Sequence, residues 1–281
     1  MWQRSYNNGV CLYLIPTPIG NLGDITIRSI DILKEVDIVF SEDTRVTRNL
    51  LNQYNIQKRL ISLHDHNEDS VKEKVLEYLK NGFNVGLVTD RGTPIISDPG
   101  YKTVKYVTGL GYNVVALPGA NAFVPALISS GINPMPFTFY GFLDSKANKR
   151  KKELERLKDI TNTLIFYEAP HRIRETIILM LEIFGDRNIS ISREISKKYE
   201  SVYRGKISDV ISTLDVIKGE FVIVVEGNKL NNVVEDYDGI VNEVNFYIDN
   251  GLSKKDAIKL VANINKISKN DVYNLYHKEE D

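Results

Sequence analysis

The sequence of 281 residues contains one cysteine and no hydrophobic run of membrane-spanning length. That cysteine, Cys11, cannot form an intrachain disulfide, and its place in the apolar segment CLYLI predicts a buried packing residue in a reducing compartment. The opening segment MWQRSYNNG has no apolar signal region, and no later run approaches the ~18 apolar residues that a membrane span needs. We therefore expect a soluble, cytoplasmic protein that makes no membrane contact.

An excess of either charge is also missing, because 36 Lys and Arg residues balance 37 Asp and Glu residues to a net charge of −1. A protein that binds nucleic acid over its whole surface is normally strongly basic, so any RNA contact must be confined to a local patch. Hydrophobic residues make up 42% of the chain, which is enough to build a core in each of two domains.

Residues 1–118 predict an N-terminal α/β domain. Short β-branched runs alternate there with helical periodicity, which is typical of a mostly parallel sheet. Ser70 and Glu73 have the spacing of a capping box, and Gly82 and Gly111 stand where glycines follow helices. The predicted strands are CLYLI, DIVF, RLISL, NVGLV and YNVVAL.

Residues 119–228 predict a second α/β domain with a mixed sheet. Strands and helices alternate less strictly here, and YESVYRG can pair with ISISREI as a hairpin. Residues 229–281 predict a polar linker followed by a small helical tail. Two capping-box spacings mark two short helices in that tail: Ser253 with Asp256, and Ser268 with Asp271.

Three loops rich in glycine and proline follow strands of the first domain: Ile15–Asp24, Thr89–Gly100 and Pro118–Asn121. Open α/β sheets bind ligands at the carboxyl ends of their strands, so these loops predict backbone groups presented to a ligand, although each alone could be an ordinary tight turn. Asp90 could accept a hydrogen bond from a hydroxyl or ammonium group, whereas Asp98 is predicted to cap the next helix. The loops match neither a GxGxxG fingerprint nor a P-loop, which argues against simple dinucleotide or nucleoside triphosphate binding.

Two further segments, SEDTR (Ser41–Arg45) and LHDHNE (Leu63–Glu68), place ionisable groups directly after strands. His64, Asp65 and His66 are adjacent in sequence and lack the spacing of recognised metal sites, so we expect no metal. The segments are interpreted as a cluster that faces the substrate, with a solvated polar loop as the alternative.

Charged segments also occur in the second domain. EAPHR (Glu168–Arg172) and REISKKYE (Arg193–Glu200) follow strands and could form an ion-pair network between the domains. In Lys146–Lys158, positive residues crowd the start of a helix, where the helix dipole disfavours them. A contact with an RNA phosphate backbone would explain this placement, and a solvated charged face is the alternative. The candidate RNA-binding residues are Lys149, Arg150, Lys151 and Lys152.

Taken together, the motifs resemble the ribosomal RNA small subunit methyltransferase I family, a branch of the tetrapyrrole methylase superfamily. The resemblance extends from Leu12 to about Tyr276 and follows the family in order and spacing. It implies two α/β domains of tetrapyrrole methylase type, S-adenosylmethionine in the cleft between them, and a homodimer. It also implies 2'-O-methylation of a cytidine in the decoding region of small-subunit ribosomal RNA, as free RNA or in the 30S subunit. The motifs are LYLIPTPIGNLGDITIRSIDIL, EDTR, LHDHNE, RGTPIISDPG, LPGANA, LIFYEAPHR, REISKKYE and GEFVIVVEG.

The resemblance also implies a set of cofactor contacts. One position departs from the family pattern, because Arg91 stands where a small residue is usual and could alter cofactor affinity or reach toward a substrate phosphate. The implied contacts are Pro18, Ile19, Gly20, Asp90, Gly92, Thr93, Pro94, Gly119, Ala120, Asn121, Tyr167, Glu168 and Glu220.

Catalysis requires a group that orients a ribose hydroxyl and takes its proton. His64 and His66 could accept a proton at cellular pH, Asp65 could orient an imidazole or the hydroxyl, and Asp43 and Arg45 could complete the pocket. Two alternative functions stay open at this point: methylation of a small tetrapyrrole-like molecule on the same fold, and RNA binding without catalysis.

Overall fold

The computed structural model describes residues 2–4, 9–215, 217–229, 237–265 and 267–277. The chain divides into two compact units, Met1–Gly227 and Asn228–Asp281. The first unit contains two separate five-stranded sheets. None of the helices in the described ranges has the length and apolar composition of a membrane span.

The first sheet is entirely parallel and has the strand order β3-β2-β4-β1-β5. Helices α1 and α2 pack on one face and α3 and α4 on the other. Both faces are therefore covered, which confirms the predicted parallel α/β layer. The elements are β1 (Cys11–Leu14), α1 (Ile27–Glu35), β2 (Ile38–Ser41), α2 (Thr44–Gln53), β3 (Arg59–Ser62), α3 (Glu68–Lys80), β4 (Val85–Val88), α4 (Tyr101–Gly109) and β5 (Asn113–Ala116).

The strand order creates a crevice beside β1 and β4. These neighbouring strands feed helices on opposite faces, since α1 follows β1 and α4 follows β4. Their outgoing loops separate at such a switch point, where open α/β sheets bind ligands. The fold thus places Ile15–Asp24 and Thr89–Gly100 side by side.

The second sheet is mixed, with the order β6-β7-β10-β8-β9. Only β6 and β7 are parallel, and β8 and β9 form the predicted hairpin. Helices α6, α7 and α8 cover one face and α5 covers the other. The elements are α5 (Phe123–Ser129), β6 (Phe137–Phe142), α6 (Ala147–Leu157), β7 (Thr163–Glu168), α7 (Ile173–Phe184), β8 (Asn188–Arg193), β9 (Ser201–Lys206), α8 (Ile207–Thr213) and β10 (Phe221–Val225).

The described part of the C-terminal unit consists of α9 (Tyr237–Asp249), α10 (Lys254–Ile264) and α11 (Lys269–His277). Both predicted capping boxes are confirmed, since Ser253 Oγ accepts from the Asp256 N–H at 3.2 Å and Ser268 Oγ accepts from the Asp271 N–H at 3.1 Å. Helix α9 was not predicted. Its first residues belong to the segment interpreted as a linker, and residues 230–236 of that linker lie outside the described ranges.

Several local predictions from the sequence are confirmed in the first unit. Cys11 is buried in the core and is not in a disulfide. Gly82 and Gly111 have φ values of 85° and 89° and directly follow the C-terminal caps of α3 and α4. Their left-handed backbone is the conformation that favours glycine after a helix.

The predicted capping box at Ser70 and Glu73 is wrong. Helix α3 begins earlier, at Glu68, and the Ser70 hydroxyl donates to the carbonyl of Asn67. A tertiary contact fixes the first residue of α3 in place, since the buried Glu68 carboxylate accepts from the Thr103 N–H at 2.8 Å in the first turn of α4. A residue of one helix thus supplies the N-terminal acceptor that α4 lacks in its own sequence.

We expect Glu68→Ala to lower the free energy of unfolding by about 1–3 kcal/mol, because it leaves the buried Thr103 N–H without an acceptor. Glu73→Ala is the matched control, since Glu73 is exposed on the same helix. It should cost no more than about 0.5 kcal/mol. Urea unfolding of both variants measures the difference. Equal losses would contradict this account of how α4 is capped.

Candidate active site

A cavity of about 310 Å³ opens at the carboxyl ends of the strands of the first sheet and is bordered by β7 and β10 of the second. The residues that line it include seven of the implied cofactor contacts: Ile19, Gly92, Thr93, Asn121, Tyr167, Glu168 and Glu220. It is also lined by residues that sequence reasoning did not single out as ligand contacts, among them Ile96, Ser97, Asp98, Phe142, Ile195 and Phe221. Most of these are apolar, and an isolated apolar residue in a loop carries no signal that distinguishes a cavity wall from core.

Hydrogen bonds join the three predicted loops into one wall. Thr17 and Gly92 exchange backbone hydrogen bonds of 2.9 and 3.0 Å, which join the loop after β1 to the loop after β4. The Thr93 hydroxyl donates to the carbonyl of Ala120 at 2.9 Å, which ties the loop after β4 to the loop after β5. The wall is therefore held in place by the protein itself, as pre-formed ligand sites usually are.

Glycine is required at two positions in this wall. Gly92 has φ of 87°, and a Cβ there would lie 3.2 Å from Ile19 Cγ2 and 3.5 Å from the carbonyl oxygen of Ala120. A Cβ on Gly119 would lie 2.4 Å from Pro16 Cβ, which is closer than two carbon atoms can approach. These glycines allow the backbones of neighbouring loops to meet beside the cavity.

Backbone strain is concentrated in two loops that face the cavity. Ile95 and Ser97, after β4, have φ values of 78° and 66°. Glu194 and Ser196, after β8, have φ values of 53° and 68°. Positive φ is unfavourable for side chains other than glycine, above all for a β-branched one, and such residues cluster where function over-determines the backbone.

Glu168 shapes the wall through its own intramolecular bonds. Its fully buried carboxylate pairs with Arg172 at 2.7 Å and accepts from the Thr176 hydroxyl at 2.6 Å and the Ala169 N–H at 2.8 Å. The carboxylate is therefore already satisfied. The neighbouring Tyr167 packs against Phe142, and burial raises the pKa of Tyr167 to about 12, so its phenol stays protonated.

Arg91 bridges the mouth of the cavity. Its Nη1 lies 2.5 Å from Glu220 Oε1, and the other oxygen of Glu220 pairs with Lys197 at 2.9 Å. The Arg91 and Glu220 side chains are more than half exposed, so solvent screens the pair. Arg91 thus contacts the second sheet's loops, rather than pointing freely toward a phosphate.

The five predicted catalytic residues do not line the cavity. Asp43 is the N-cap of α2 and pairs with Arg45 at 2.6 Å. That hydrogen-bonded pair holds the pKa of Asp43 at about 2, which makes it a poor proton acceptor. The Asp43 N–H donates to Asp90 Oδ1 at 2.9 Å, so the loops after β2 and β4 are nevertheless joined.

His64, Asp65 and His66 follow β3, at the edge of the first sheet. The two imidazole rings are 5.9 Å apart, and His64 Nδ1 is buried without a hydrogen-bond partner among the described residues. Within those ranges no group of three His, Cys, Asp or Glu side chains is arranged to hold a metal ion.

The basic helix α6 is only partly available to a ligand. Arg150 is 1% exposed and pairs with Glu175 at 2.8 Å, so its predicted role in phosphate binding is wrong. Its place on the inner face of an amphipathic helix is the physical reason, because the long side chain is buried where α6 packs against α7 and its guanidinium reaches the half-exposed Glu175. Lys151 pairs with Glu182 at 2.6 Å. Lys149 and Lys152 are exposed.

Asp98 was predicted to cap a helix, and that prediction is also wrong. The N-cap of α4 is Gly100, so Asp98 is not the cap residue. Asp98 instead lines the cavity, and burial, with Glu42, Asp90 and Asp65 nearby, raises its pKa to about 6. The one available signal was its sequence setting, an acidic residue inside the apolar and turn-forming run PIISDPG.

Comparison with known proteins agrees with this architecture. The family model described as Tetrapyrrole (Corrin/Porphyrin) Methylases matches residues 11–211. A protein of Bacillus subtilis named ribosomal RNA small subunit methyltransferase I is 50% identical, over 98% of this chain and 98% of its own. Proteins of the same name are 43% identical in Halalkalibacterium halodurans (99% and 98% covered) and 39% identical in Vibrio cholerae (95% and 94% covered).

Among solved structures, a uroporphyrin-III-C-methyltransferase from Thermus thermophilus superimposes with a TM-score of 0.55. The alignment covers 82% of this chain and 97% of that one, at 17% sequence identity. At this identity the likeness concerns the fold alone.

Proposed function

The chain belongs to the tetrapyrrole methylase family and, within it, to the ribosomal RNA small subunit methyltransferase I family, and from this we propose that it transfers a methyl group from S-adenosylmethionine to small-subunit ribosomal RNA. The acceptor is a ribose 2'-hydroxyl, that of a cytidine in the decoding region. The observation that carries the proposal is the cavity at the switch point of the first sheet, walled by the loops that the family resemblance marks for the cofactor.

The cavity has the properties that S-adenosylmethionine requires. Its volume lies in the range of small-molecule sites, and most of its lining is apolar with a few polar groups between. Ile96, Ile195 and Phe221 offer surface to an adenine ring. Gly92 shapes the wall but offers no free polar group, because its N–H and carbonyl both bond to Thr17. The polar side chains of Ser97 and Asn121 in the lining suit the amino-acid part.

The other proposed cofactor contacts differ in which of their groups are free to bind the ligand. Glu168 would contribute through its backbone, since its carboxylate is bonded internally. Glu220 is exposed enough to meet a ligand hydroxyl or ammonium group but shares its charge with two cations. Six of the implied contacts belong to the loops of the wall but do not line the cavity themselves: Pro18, Gly20, Asp90, Pro94, Gly119 and Ala120. Asp90 would help to position the wall, because it accepts from the Asp43 N–H and so joins the loops after β2 and β4.

The bound cofactor supplies a methyl group that its sulfonium centre already activates. The protein's task is to align the acceptor oxygen with that methyl group and to exclude water. The rigid wall formed by Thr17, Gly92 and Thr93 serves the alignment, and the apolar residues of the second sheet serve the exclusion.

RNA would be held by exposed lysines of α6. Lys149 is 64% exposed, with Asp144 at 3.5 Å, and Lys152 is exposed beside it. Lys151 can add to them if a phosphate displaces Glu182. A small cluster of this kind fits a chain without net positive charge. An RNA substrate of this kind would place the enzyme in the cytoplasm, with the ribosomal subunits.

We also propose that the chain forms a homodimer through α5 and β6. Val124 and Ile128 of α5, with Met135 and Phe137, expose an apolar surface, and β6 is an edge strand. The rings of Phe123 and Phe137 are 6.4 Å apart, which makes the surface continuous. Apolar patches beside an open strand edge are normally covered, and a two-fold contact between identical patches does so.

Gly92→Val should abolish S-adenosylmethionine binding, because the new side chain enters the cavity. Gly82→Val is the matched control, since φ is 85° there against 87° and no atom lies within 4 Å. Both variants should lose stability through the same strain, on the order of 1–3 kcal/mol. Calorimetry and transfer of a labelled methyl group to small-subunit RNA provide the readouts.

Near-normal cofactor affinity of Gly92→Val would place the site elsewhere. Transfer to a tetrapyrrole precursor but not to RNA would favour a small-molecule methylase. A wild-type chain that binds RNA but not S-adenosylmethionine would favour an RNA-binding module without catalysis.

Replacing Lys149 and Lys152 with Ala should weaken RNA binding and reduce the slope of log affinity against log salt by about one for each lost phosphate contact. Cofactor affinity should not change. The control replaces Lys74 and Lys80, exposed lysines on α3. Filter binding at several salt concentrations measures the affinity and the slope for both double variants. An unchanged slope for the Lys149 and Lys152 variant would mean that α6 is a solvated surface that does not contact RNA.

Ile128→Asp should convert a dimer into a monomer, because it buries a charge in the proposed interface. Ile178→Asp, at an exposed isoleucine on α7, is the control and should leave the dimer intact. Sedimentation velocity distinguishes the 32.0 kDa chain from its dimer. A monomeric wild type at micromolar concentration would contradict the proposal.

A further inference from the structure

Three carboxylates line the cavity, and they differ in what they already bind. Glu168 is fully buried and bonded to Arg172 and Thr176. Glu220 is shared between Arg91 and Lys197. Asp98 forms no ion pair within the described residues and caps no helix. Its carboxylate is the one in the cavity wall that no cation holds.

We propose that the Asp98 carboxylate accepts the proton of the substrate hydroxyl as the methyl group is transferred, which makes Asp98 a catalytic residue. The proposal rests on the proposed function and adds to it the identity of the proton acceptor. It is carried by the position of Asp98 in the cavity wall, on the strained loop between Ile95 and Gly100.

The surroundings of Asp98 suit that role. Burial disfavours its charged form, and three carboxylates, Glu42, Asp90 and Asp65, add like charge from the loops after β2, β4 and β3. Tyr167 lines the same cavity, and its phenol stays neutral. The nearby Thr89 hydroxyl, which donates to Glu42 Oε2 at 3.0 Å, opposes this rise in the Asp98 pKa only in part.

The outcome is a pKa of about 6 for Asp98. Such a carboxylate is ionised at neutral pH and more basic than an ordinary aspartate, as a general base should be.

The other candidate acceptors fit less well. The Arg45 guanidinium holds the pKa of Asp43 at about 2, so this carboxylate is too weak a base. Burial raises the pKa of Tyr167 to about 12, so its phenol keeps its own proton and cannot accept another. His64 and His66 lie outside the cavity lining.

The reaction balances with this assignment. The hydroxyl oxygen forms a bond to the methyl carbon while the carbon–sulfur bond breaks, and the electron pair of that bond stays on sulfur. The hydroxyl proton moves to an oxygen of Asp98, which later releases it to water. A positioned base of this kind contributes ~10²- to 10⁴-fold to a rate.

The test compares Asp98→Asn with Asp31→Asn, the same chemical change at an exposed position on α1. Single-turnover methylation by Asp98→Asn should fall at least ~100-fold, with S-adenosylmethionine and RNA affinities unchanged. The wild-type and Asp31→Asn rates should rise with pH through about 6 and then level off. Asp98→Asn should lose that rise, and Asp98→Glu should keep it at a reduced rate.

A second readout needs neither ligand. Carbon-13 NMR of the free protein should show a carboxyl titrating near pH 6 that is missing in Asp98→Asn. Folding raises this pKa, so protonated Asp98 contributes its full stabilisation at pH values below the ordinary aspartate pKa. That contribution is lost as the pH rises through about 6. Asp98→Asn should therefore gain thermal stability relative to the wild type between pH 4 and pH 7, whereas loss of a structural carboxylate would lower stability throughout.

Each contrary result has a distinct meaning. A near-normal rate for Asp98→Asn, or a wild-type rate that is flat between pH 5 and pH 7, overturns the assignment while leaving the methyltransferase intact. Loss of S-adenosylmethionine affinity in Asp98→Asn makes Asp98 a cofactor contact and overturns it as well. No transfer to RNA by the wild type overturns the proposed function, and this assignment with it.

Discussion

The site depends on the close approach of two backbones at the switch point of the first sheet. Thr17 and Gly92 exchange hydrogen bonds because their loops continue from the adjacent parallel strands β1 and β4. That approach needs a residue without a side chain at Gly92, and a second one at Gly119 where the chain touches Pro16. These hydrogen-bonded loops form one wall of the cavity, and apolar side chains of the second sheet form the opposite side.

Local electrostatics gives two aspartates of the first domain very different pKa values and therefore different roles. Asp43 caps a helix in contact with Arg45, and its pKa falls to about 2. Asp98 is partly buried near three other carboxylates, and its pKa rises to about 6. The contrast is set entirely by environment, since both side chains have the same intrinsic acidity. A carboxylate kept basic inside a strained loop is costly to the fold, and active sites are where such costs are retained.

Local signals predicted most of the fold. Strand and helix periodicity predicted the parallel sheet, the β8–β9 hairpin and the caps at Ser253 and Ser268, because each depends on neighbours in sequence. The predictions that failed depend on distant partners. The buried Arg150 pairs with Glu175 on α7, and Glu68, the first residue of α3, bonds to Thr103 on α4.

The candidate site divides in the same way. Its loops were predictable from strand-end position and from family resemblance, and seven of the implied cofactor contacts line the cavity. The role of Asp98 could not be predicted, because its raised pKa comes from burial and from carboxylates on its own loop and on two others. The most direct test of the central claim is mass mapping of 2'-O-methyl groups in small-subunit ribosomal RNA from cells with and without this gene. We expect one cytidine to lose its methyl group when the gene is absent, and an unchanged map would contradict the account.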